Sequence, residues 1–520
     1  MSEAPQNPLA PVCKGDYSVK VLLSVTLLTV FAFLVMGYHP GLEDDSFYLA
    51  AIKRDLNPAL LAHDADFFRL QFQATAFDKL VAFSVRLTHL PLGWVVLLWQ
   101  FAATFFLLHG CWRISRRCFA RPEAQWAASA MVSALLTMPV PGIAINLADQ
   151  YLHPRGLATA IIVAAVVAVI DSRDNNRRLW LAGILLAAAF AIHAIMTALG
   201  MSFCAFLYWN LRRSKPLPRP PVMPAAAALL IPLGWMFEPA SDAWRKAAST
   251  RSFYFLTRWE WYEWLGVFAP LVLLYVCRRF SQSRKDLTDG TVLIPFLSGL
   301  LYYGAFQTFV GLALMLPPSL ERVRPFEPMR YLHLLYLFFF LVAGGFLGGY
   351  LLGRNAYRWA LLFLPLGAGM FFAQRQMFPA TPHLELPFVA PGNGWLQAFA
   401  WIRQNTPVDT RFAVDPHYET LPDEDYHGFR ALAERSVLAD YEKDGGMVCR
   451  VPRLAPRWLK EVTALENWRK FQAADFQRLK NDFGVMWVVL SRADVQYSAG
   501  DANGMTCLYQ NQDVKVCRLY

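Results

Sequence analysis

Nine stretches of this chain are apolar over roughly the length needed to cross a bilayer, and that repetition limits the fold more than any motif does. They are Val19–Met36, 92–112, 126–140, 156–170, 222–237, 264–277, 292–316, 332–352 and 359–372. A hydrocarbon core about 30 Å thick needs about 20 apolar residues in a helix that rises about 1.5 Å per residue. A further stretch, 179–211, is too long for one crossing; it carries Arg177 and Arg178 at one end, Arg212 and Arg213 at the other, and His193 in the middle. It predicts a hairpin of two short helices, for about eleven spans in all. Only 17% of the 520 residues are charged and 56% are hydrophobic, where a soluble domain carries about 25% charge. The expected class is mainly α, a polytopic helical membrane protein.

Lysine and arginine set the orientation. One alternate set of loops holds Arg113, Arg116, Arg117 and Arg121, then Arg173, Arg177 and Arg178, then Arg212, Arg213, Lys215 and Arg219. It continues with Arg278, Arg279, Arg284 and Lys285 and ends with Arg354 and Arg358. These loops are expected on the cytoplasmic side. The net charge of +10 is then a topology signal, and no nucleic-acid partner is expected. The N-terminus falls on the cytoplasmic side and the chain after residue 372 on the outer side. Gly37-Tyr38-His39-Pro40 is a poor cleavage site, so the first span reads as an uncleaved anchor.

Three units are expected: a transmembrane part over 1–372, a linker over 373–394 punctuated by Pro379, Pro382, Pro387 and Pro391, and a small α+β outer domain over 395–520. In that domain 395–405 reads as a helix, and 411–414 and 486–490 as short strands. Residues 508–516 read as a hairpin turning near 511–513, which sets Cys507 opposite Cys517; the pair is either a disulfide or two small buried hydrophobes. The first outer loop, 38–79, carries Leu49, Ile52 and Leu56 at helical spacing, and then Phe68 and Phe72. Two amphipathic helices on the membrane surface are expected there, with Lys53 and Arg54 meeting lipid headgroups.

The chemistry concentrates in the outer loops. Glu43, Asp44 and Asp45 stand just beyond the first span. Adjacent carboxylates repel one another, raise one another's pKa and suit proton transfer or a divalent cation such as Mg or Mn. The plainer role is a helix cap, which one acid can fill. Asp149, before the span at 156–170, could complete a metal site or orient a nucleophile, or cap the helix ahead of Pro154. His153 and Arg155 could contact phosphate, Arg155 otherwise anchoring its helix at headgroup level. Arg330 and His333 open the span at 332–352; a guanidinium there can grip phosphate bidentately or snorkel to the interface. His193, inside an apolar stretch, is either functional or a packed, hydrogen-bonded residue.

With these features the chain resembles the GT-C superfamily of polytopic glycosyltransferases, through the acidic pair in the first outer loop, the amphipathic helices there, about eleven spans and a C-terminal outer domain. More narrowly, Gly41-Leu-Glu-Asp-Asp-Ser-Phe-Tyr-Leu-Ala-Ala-Ile-Lys-Arg54, His63-Asp-Ala-Asp-Phe-Phe68, Pro325-Phe-Glu-Pro-Met-Arg330 and the segment 429–440 look like an uncharacterised bacterial membrane family associated with that superfamily. The resemblance implies inverting transfer of a sugar from a polyprenyl-phosphate donor to a glycan, lipid or protein acceptor at the outer face of a bacterial inner membrane, amid membrane lipids. Asp44 would match the catalytic acid, with Asp45 or Glu43 in support. The chain lacks the Trp-Trp-Asp motif of oligosaccharyltransferases, which argues against peptide N-glycosylation. A transporter or flippase of lipid-linked sugars, or a non-catalytic assembly protein of the same fold, are the alternatives.

Overall fold

The computed structural model describes residues 17–68, 74–214, 236–283, 291–422, 424–425, 427–494 and 504–520. In chain order its helices begin α1 (Val19–Met36), α2 (Asp45–Leu56), α3 (Phe77–Thr88), α4 (Leu92–Cys118), α5 (Pro122–Ala134) and α6 (Pro154–Asp171). They continue with α7 (Arg177–Ile192), α8 (Ala194–Ser214), α9 (Asp242–Ser249), α10 (Trp261–Ser283), α11 (Leu293–Met315), α12 (Tyr331–Leu347) and α13 (Ala356–Met377). Among the described residues eight of these, α1, α4, α6, α8 and α10 to α13, are long and apolar enough to cross a membrane. The chain is a multi-pass membrane protein. Its lipid-facing surface is apolar, with Leu27 and Leu34 on α1, Val272 and Val276 on α10, and Leu361, Leu364 and Phe372 on α13 all exposed. Only 6% of the apolar window of α13 is buried, the smallest share among the eight, and its Gly367 packs on Phe31 of α1.

Two expectations change. The span expected at 126–140 is the 13-residue α5, about 20 Å long and too short for the core of a bilayer. It is sealed inside the protein instead, against α12 and the turn that follows it, where Gly344 and Gly348 let the backbones approach. A Cβ on Gly344 would come within 2.6 Å of the Ala127 carbonyl oxygen, and one on Gly348 within 2.5 Å of Ala127 Cβ. Small residues on both helices allow this approach without bulk. The hairpin at 179–211 forms as expected, broken at the extended His193. His193 is at the tip of the hairpin, beside the loops, and not midway through a span. There Thr75 Oγ1 donates to the Ile192 carbonyl at 2.7 Å and the Ala76 N–H to that of Ala191 at 2.7 Å, satisfying groups the break leaves open. Most of the span expected at 222–237 lies outside the described residues.

In the loop after α1, the first helix expected on the membrane surface is packed into protein instead. Leu49 and Ile52 of α2 are buried in a core shared with Ala431, Ala439 and Met447 of the C-terminal domain. Among the described residues 57–68 carries only a single helical turn, Ala62–Asp64; Phe68 is buried and Phe72 lies outside the described residues. Lys53 meets the Glu434 carboxylate at 2.7 Å and the Ala431 carbonyl at 2.7 Å, not headgroups.

The linker begins after Met377 and is docked. Tyr38 N–H donates to the His383 carbonyl at 2.9 Å, and Glu385 N–H to that of Tyr38 at 2.8 Å. The domain beyond it has α14 (Gly394–Asn405), α15 (Phe429–Ala433), α16 (Lys443–Arg450), α17 (Ala455–Ala464) and α18 (Ala473–Phe483). A two-stranded ribbon in the membrane part, β1 (Pro139–Val140) with β2 (Ile145–Asn146), precedes the domain's own strands. Those are β3 (Arg411–Ala413), β4 (Ser436–Val437), β5 (Trp487–Ser491), β6 (Met505–Gln510) and β7 (Val514–Leu519), in the order β4-β3-β5-β7-β6. β3 runs parallel to β4 and β5, and β7 antiparallel to β5 and β6. Cys507 and Cys517 face each other across the hairpin and are joined by a disulfide. The mixed sheet, with helices packed on it, makes the domain α+β.

Candidate functional site

A cleft of about 870 Å³, its open mouth included, lies where the loop after α1, the β1–β2 ribbon, the turns before α12 and helix α16 meet. Three of its lining residues hold backbones that side chains rarely adopt: Glu43 (φ 46°), Ala144 (φ 48°) and Glu327 (φ 49°). Strain of this kind gathers where the surrounding structure forces a shape, often at functional sites.

The acidic triplet splits. Glu43 and Asp44 face the cleft, Asp44 with its side chain 46% exposed. Asp45 turns inward, 2% exposed, and its Oδ2 accepts the Gly41 N–H at 2.6 Å. Neither Asp44 nor Asp45 caps α2 through its side chain. Burial pushes the Asp45 carboxyl up to about 7, against the lowering effect of the Gly41 N–H. Burial raises Asp44 too, but Lys443, His153, Arg251 and Arg450 outweigh it and hold the carboxyl well below the usual range. The Lys443 ammonium donates to Asp44 Oδ1 at 3.3 Å.

Behind Asp44 the other expected residues form a chain of contacts. His153 Nε2 lies 4.0 Å from Asp44 Oδ2, and its Nδ1 lies 3.9 Å from Asp149 Oδ2. The Asp149 carboxylate binds Arg155 Nη2 at 2.5 Å. His153 caps α6, its Nδ1 accepting the Arg155 N–H at 2.8 Å. That bond places the ring proton on Nε2, facing Asp44. Asp149 and Arg155 are buried behind the cleft, paired with each other. Burial, only partly offset by Arg155, pushes Asp149 up to about 6. His333 is fully buried and its Nε2 donates to the Leu147 carbonyl at 2.9 Å, bracing the loop that carries Asp149. It makes no contact with the cleft.

Arg330 does line the cleft, clamped by Glu327 through two bonds of 2.8 and 2.7 Å. The sequence did not single out its neighbours Arg251, Lys443 and Arg450. Lys443, Met447 and Arg450 stand at i, i+4 and i+7, one face of α16, and all three line the cleft. That spacing was a usable signal; the helix, only eight residues long, was not. Tyr48 completes the wall, its ring edge-on to His153 at 4.9 Å.

The acids considered for a metal do not converge. Asp45 and Asp149 are turned to protein partners, and among the described residues no three His, Cys, Asp or Glu side chains are grouped to hold a metal ion.

The chain is thus a polytopic helical membrane protein whose C-terminal α+β domain closes a charged cleft over the loops. A family model described as "Domain of unknown function (DUF6798)" matches residues 393–450, from the cap of α14 to the end of α16. No curated protein matches the sequence. Among solved structures the chain is similar to the archaeal oligosaccharyltransferase AglB from Archaeoglobus fulgidus, in complex with an inhibitory peptide and a dolichol-phosphate. Identity is 12% and the TM-score 0.43, over 90% of this chain and 69% of that one.

Proposed function

We propose that the protein is a GT-C-like membrane glycosyltransferase that takes a sugar from a polyprenyl-phosphate donor. One observation carries this reading: an ionised, half-exposed carboxylate, Asp44, shares a cleft beside the membrane part with the cations of Arg251, Arg330, Lys443 and Arg450. In the transfer, an acceptor O–H or N–H attacks the anomeric carbon from the face opposite the phosphate. The carbon–oxygen bond to phosphate breaks with its electron pair, and the leaving polyprenyl phosphate gains one negative charge. Fixed guanidinium and ammonium groups placed where that charge develops lower the barrier.

A carboxylate held well below the usual range keeps no proton at neutral pH. Asp44 is therefore a weaker base than adjacent acids suggested. It accepts a hydrogen bond from the attacking group and aims its lone pair, and the proton leaves to water at the mouth. The cleft side is the outer face in this reading, because Arg117, Arg177 and Arg212 mark the opposite helix ends.

Purified protein given a panel of polyprenyl-phosphate sugars should release free polyprenyl phosphate. Asp44→Asn should lower turnover by about 100-fold, equivalent to about 2.7 kcal/mol of barrier, and Asp45→Asn by less than about fivefold. Equal release from the native protein and Asp44→Asn would move the chemistry away from the cleft. No release from any donor, with a mixed acceptor extract present, would favour a transporter or an inactive assembly protein.

A further inference from the structure

A divalent cation here would need carboxylate oxygens free to face it; Mg commonly takes one or two, with water and phosphate completing its shell. Three carboxylates line this cleft, and Glu327 is clamped by Arg330, which leaves Glu43 and Asp44. Asp45 is committed to the Gly41 N–H and Asp149 to Arg155. His153 cannot supply a nitrogen ligand beside Asp44, because the Arg155 N–H occupies the lone pair of Nδ1 and the proton on Nε2 points at Asp44. Fixed positive charge fills the space instead. The Lys443 ammonium lies 3.3 Å from Asp44 Oδ1, and Arg251 and Arg450 line the same wall. A cation entering there meets like charges at short range in a partly dry site.

The placement of Lys443 is built, not incidental. Asp440 Oδ1 accepts the N–H groups of Lys443 and Asp444, at 2.6 and 3.0 Å, and fixes the start of α16. Gly446 leaves room for Arg251, whose Nη2 reaches across the helix to the Glu442 carbonyl at 2.5 Å; a Cβ at 446 would come 2.9 Å from that nitrogen. At the far end of the same face Arg450 Nη2 lies 3.4 Å from Glu327 Oε1. The C-terminal domain therefore delivers two cations from one helix and positions a third.

We infer that Lys443 fills, beside Asp44, the place that a divalent cation would take, so that the cleft binds its phosphate ligand without metal and is complete only with the C-terminal domain docked. This rests on the cleft being a phosphate site. It goes beyond that reading by naming the group that supplies the positive charge and the domain that brings it.

The test uses the full chain in nanodiscs and a short-chain prenyl phosphate as probe, with binding followed by calorimetry in EDTA and in excess Mg²⁺ or Mn²⁺. The expected affinity is the same within about twofold in all three. Lys443→Met should weaken binding tenfold or more, and Lys443→Arg should restore most of it. Lys246→Met, outside the cleft, should change nothing. Thermal unfolding of each variant separates lost binding from lost fold. In parallel, Mn²⁺ titration followed by electron paramagnetic resonance should show no site in the native protein and a new one in Lys443→Asp, which replaces the ammonium by a carboxylate. Binding that disappears in EDTA and returns with Mg²⁺ or Mn²⁺ overturns the inference and leaves the phosphate site standing. So does prenyl phosphate binding untouched in Lys443→Met. No binding of the probe under any condition overturns both.

Discussion

Asp45 keeps its carboxyl inside the turn, where burial raises it to about 7 from an ordinary 3.8. Between pH 4 and 7 the native state therefore holds a proton that the unfolded chain has released, and stability falls as pH rises through that window. Thermal unfolding in one fixed detergent at pH 4, 5, 6 and 7 should show this slope. Asp45→Asn keeps an oxygen for the Gly41 N–H and removes the titration, so its slope should be shallower. It should not be flat, because Asp149, raised to about 6, titrates in the same range. An unchanged slope would mean that Asp45 is ionised in the fold. Asp44 behaves in the opposite way: with its folded pKa depressed, the stabilisation from its cations is present above the unfolded value and persists into strongly acidic solution.

At the scale of one element, α16 combines two glycines with two cations. Glycine inside a helix costs about 0.5–1 kcal/mol relative to alanine, so Gly446 is retained at a cost to the helix itself. The space it leaves is occupied by Arg251. Gly446→Ala should leave the thermal midpoint unchanged or slightly higher while pushing the Arg251 guanidinium aside and weakening binding of a prenyl phosphate several-fold. Calorimetry on the variant checks both directions. Equal loss of stability and binding would indicate that the glycine serves helix packing alone. The α7–α8 break is the same lesson in the membrane part: the backbone groups freed at His193 are taken up by Thr75 and Ala76, so loop and hairpin stabilise each other.

Across the whole molecule, buried ions join what the sequence divides. Arg430 of α15 binds Asp64 of the loop after α1 at 2.8 Å and both oxygens of Asp444 in α16 at 2.8 and 2.9 Å, all three residues being buried. Removing one partner strands buried charge, a loss of about 3–5 kcal/mol. Arg430→Met should therefore lower stability by about that much in denaturant titration. It should also loosen α16 and with it the hold of Lys443 on Asp44, read as faster proteolysis of the C-terminal domain. His39 at the end of α1 and His427 of the domain share the Glu385 carboxylate, at 2.7 and 3.1 Å, which pins the linker between them. A domain that stayed docked and equally resistant to protease in Arg430→Met would show that the Arg430 contacts are not the tie.

The sequence by itself determined the membrane class, because apolar length and basic loop ends act locally and need no partner to be read. It also determined the hairpin over 179–211, the strands near 411 and 487, and the placing of Cys507 opposite Cys517, each set by short-range pattern or by turn geometry; that the two cysteines are bonded came from the structure. Glu43, Asp44 and Arg330, which line one cleft, and His153 beside Asp44 stood out for the same reason: charge beside apolar runs is costly unless it has a partner or a use. Only the tertiary structure decided which way adjacent acids face, since Asp44 and Asp45 differ by one residue and end on opposite sides of a turn. It alone buried α2 under a domain nearly 400 positions away in the chain, tied Asp149 to Arg155, and sent Lys443 to Asp44, a contact 399 residues apart. Nothing local in the sequence encodes such pairs. They follow from the packing of the domain onto the loops, where burial removes water and leaves each charge to find a partner.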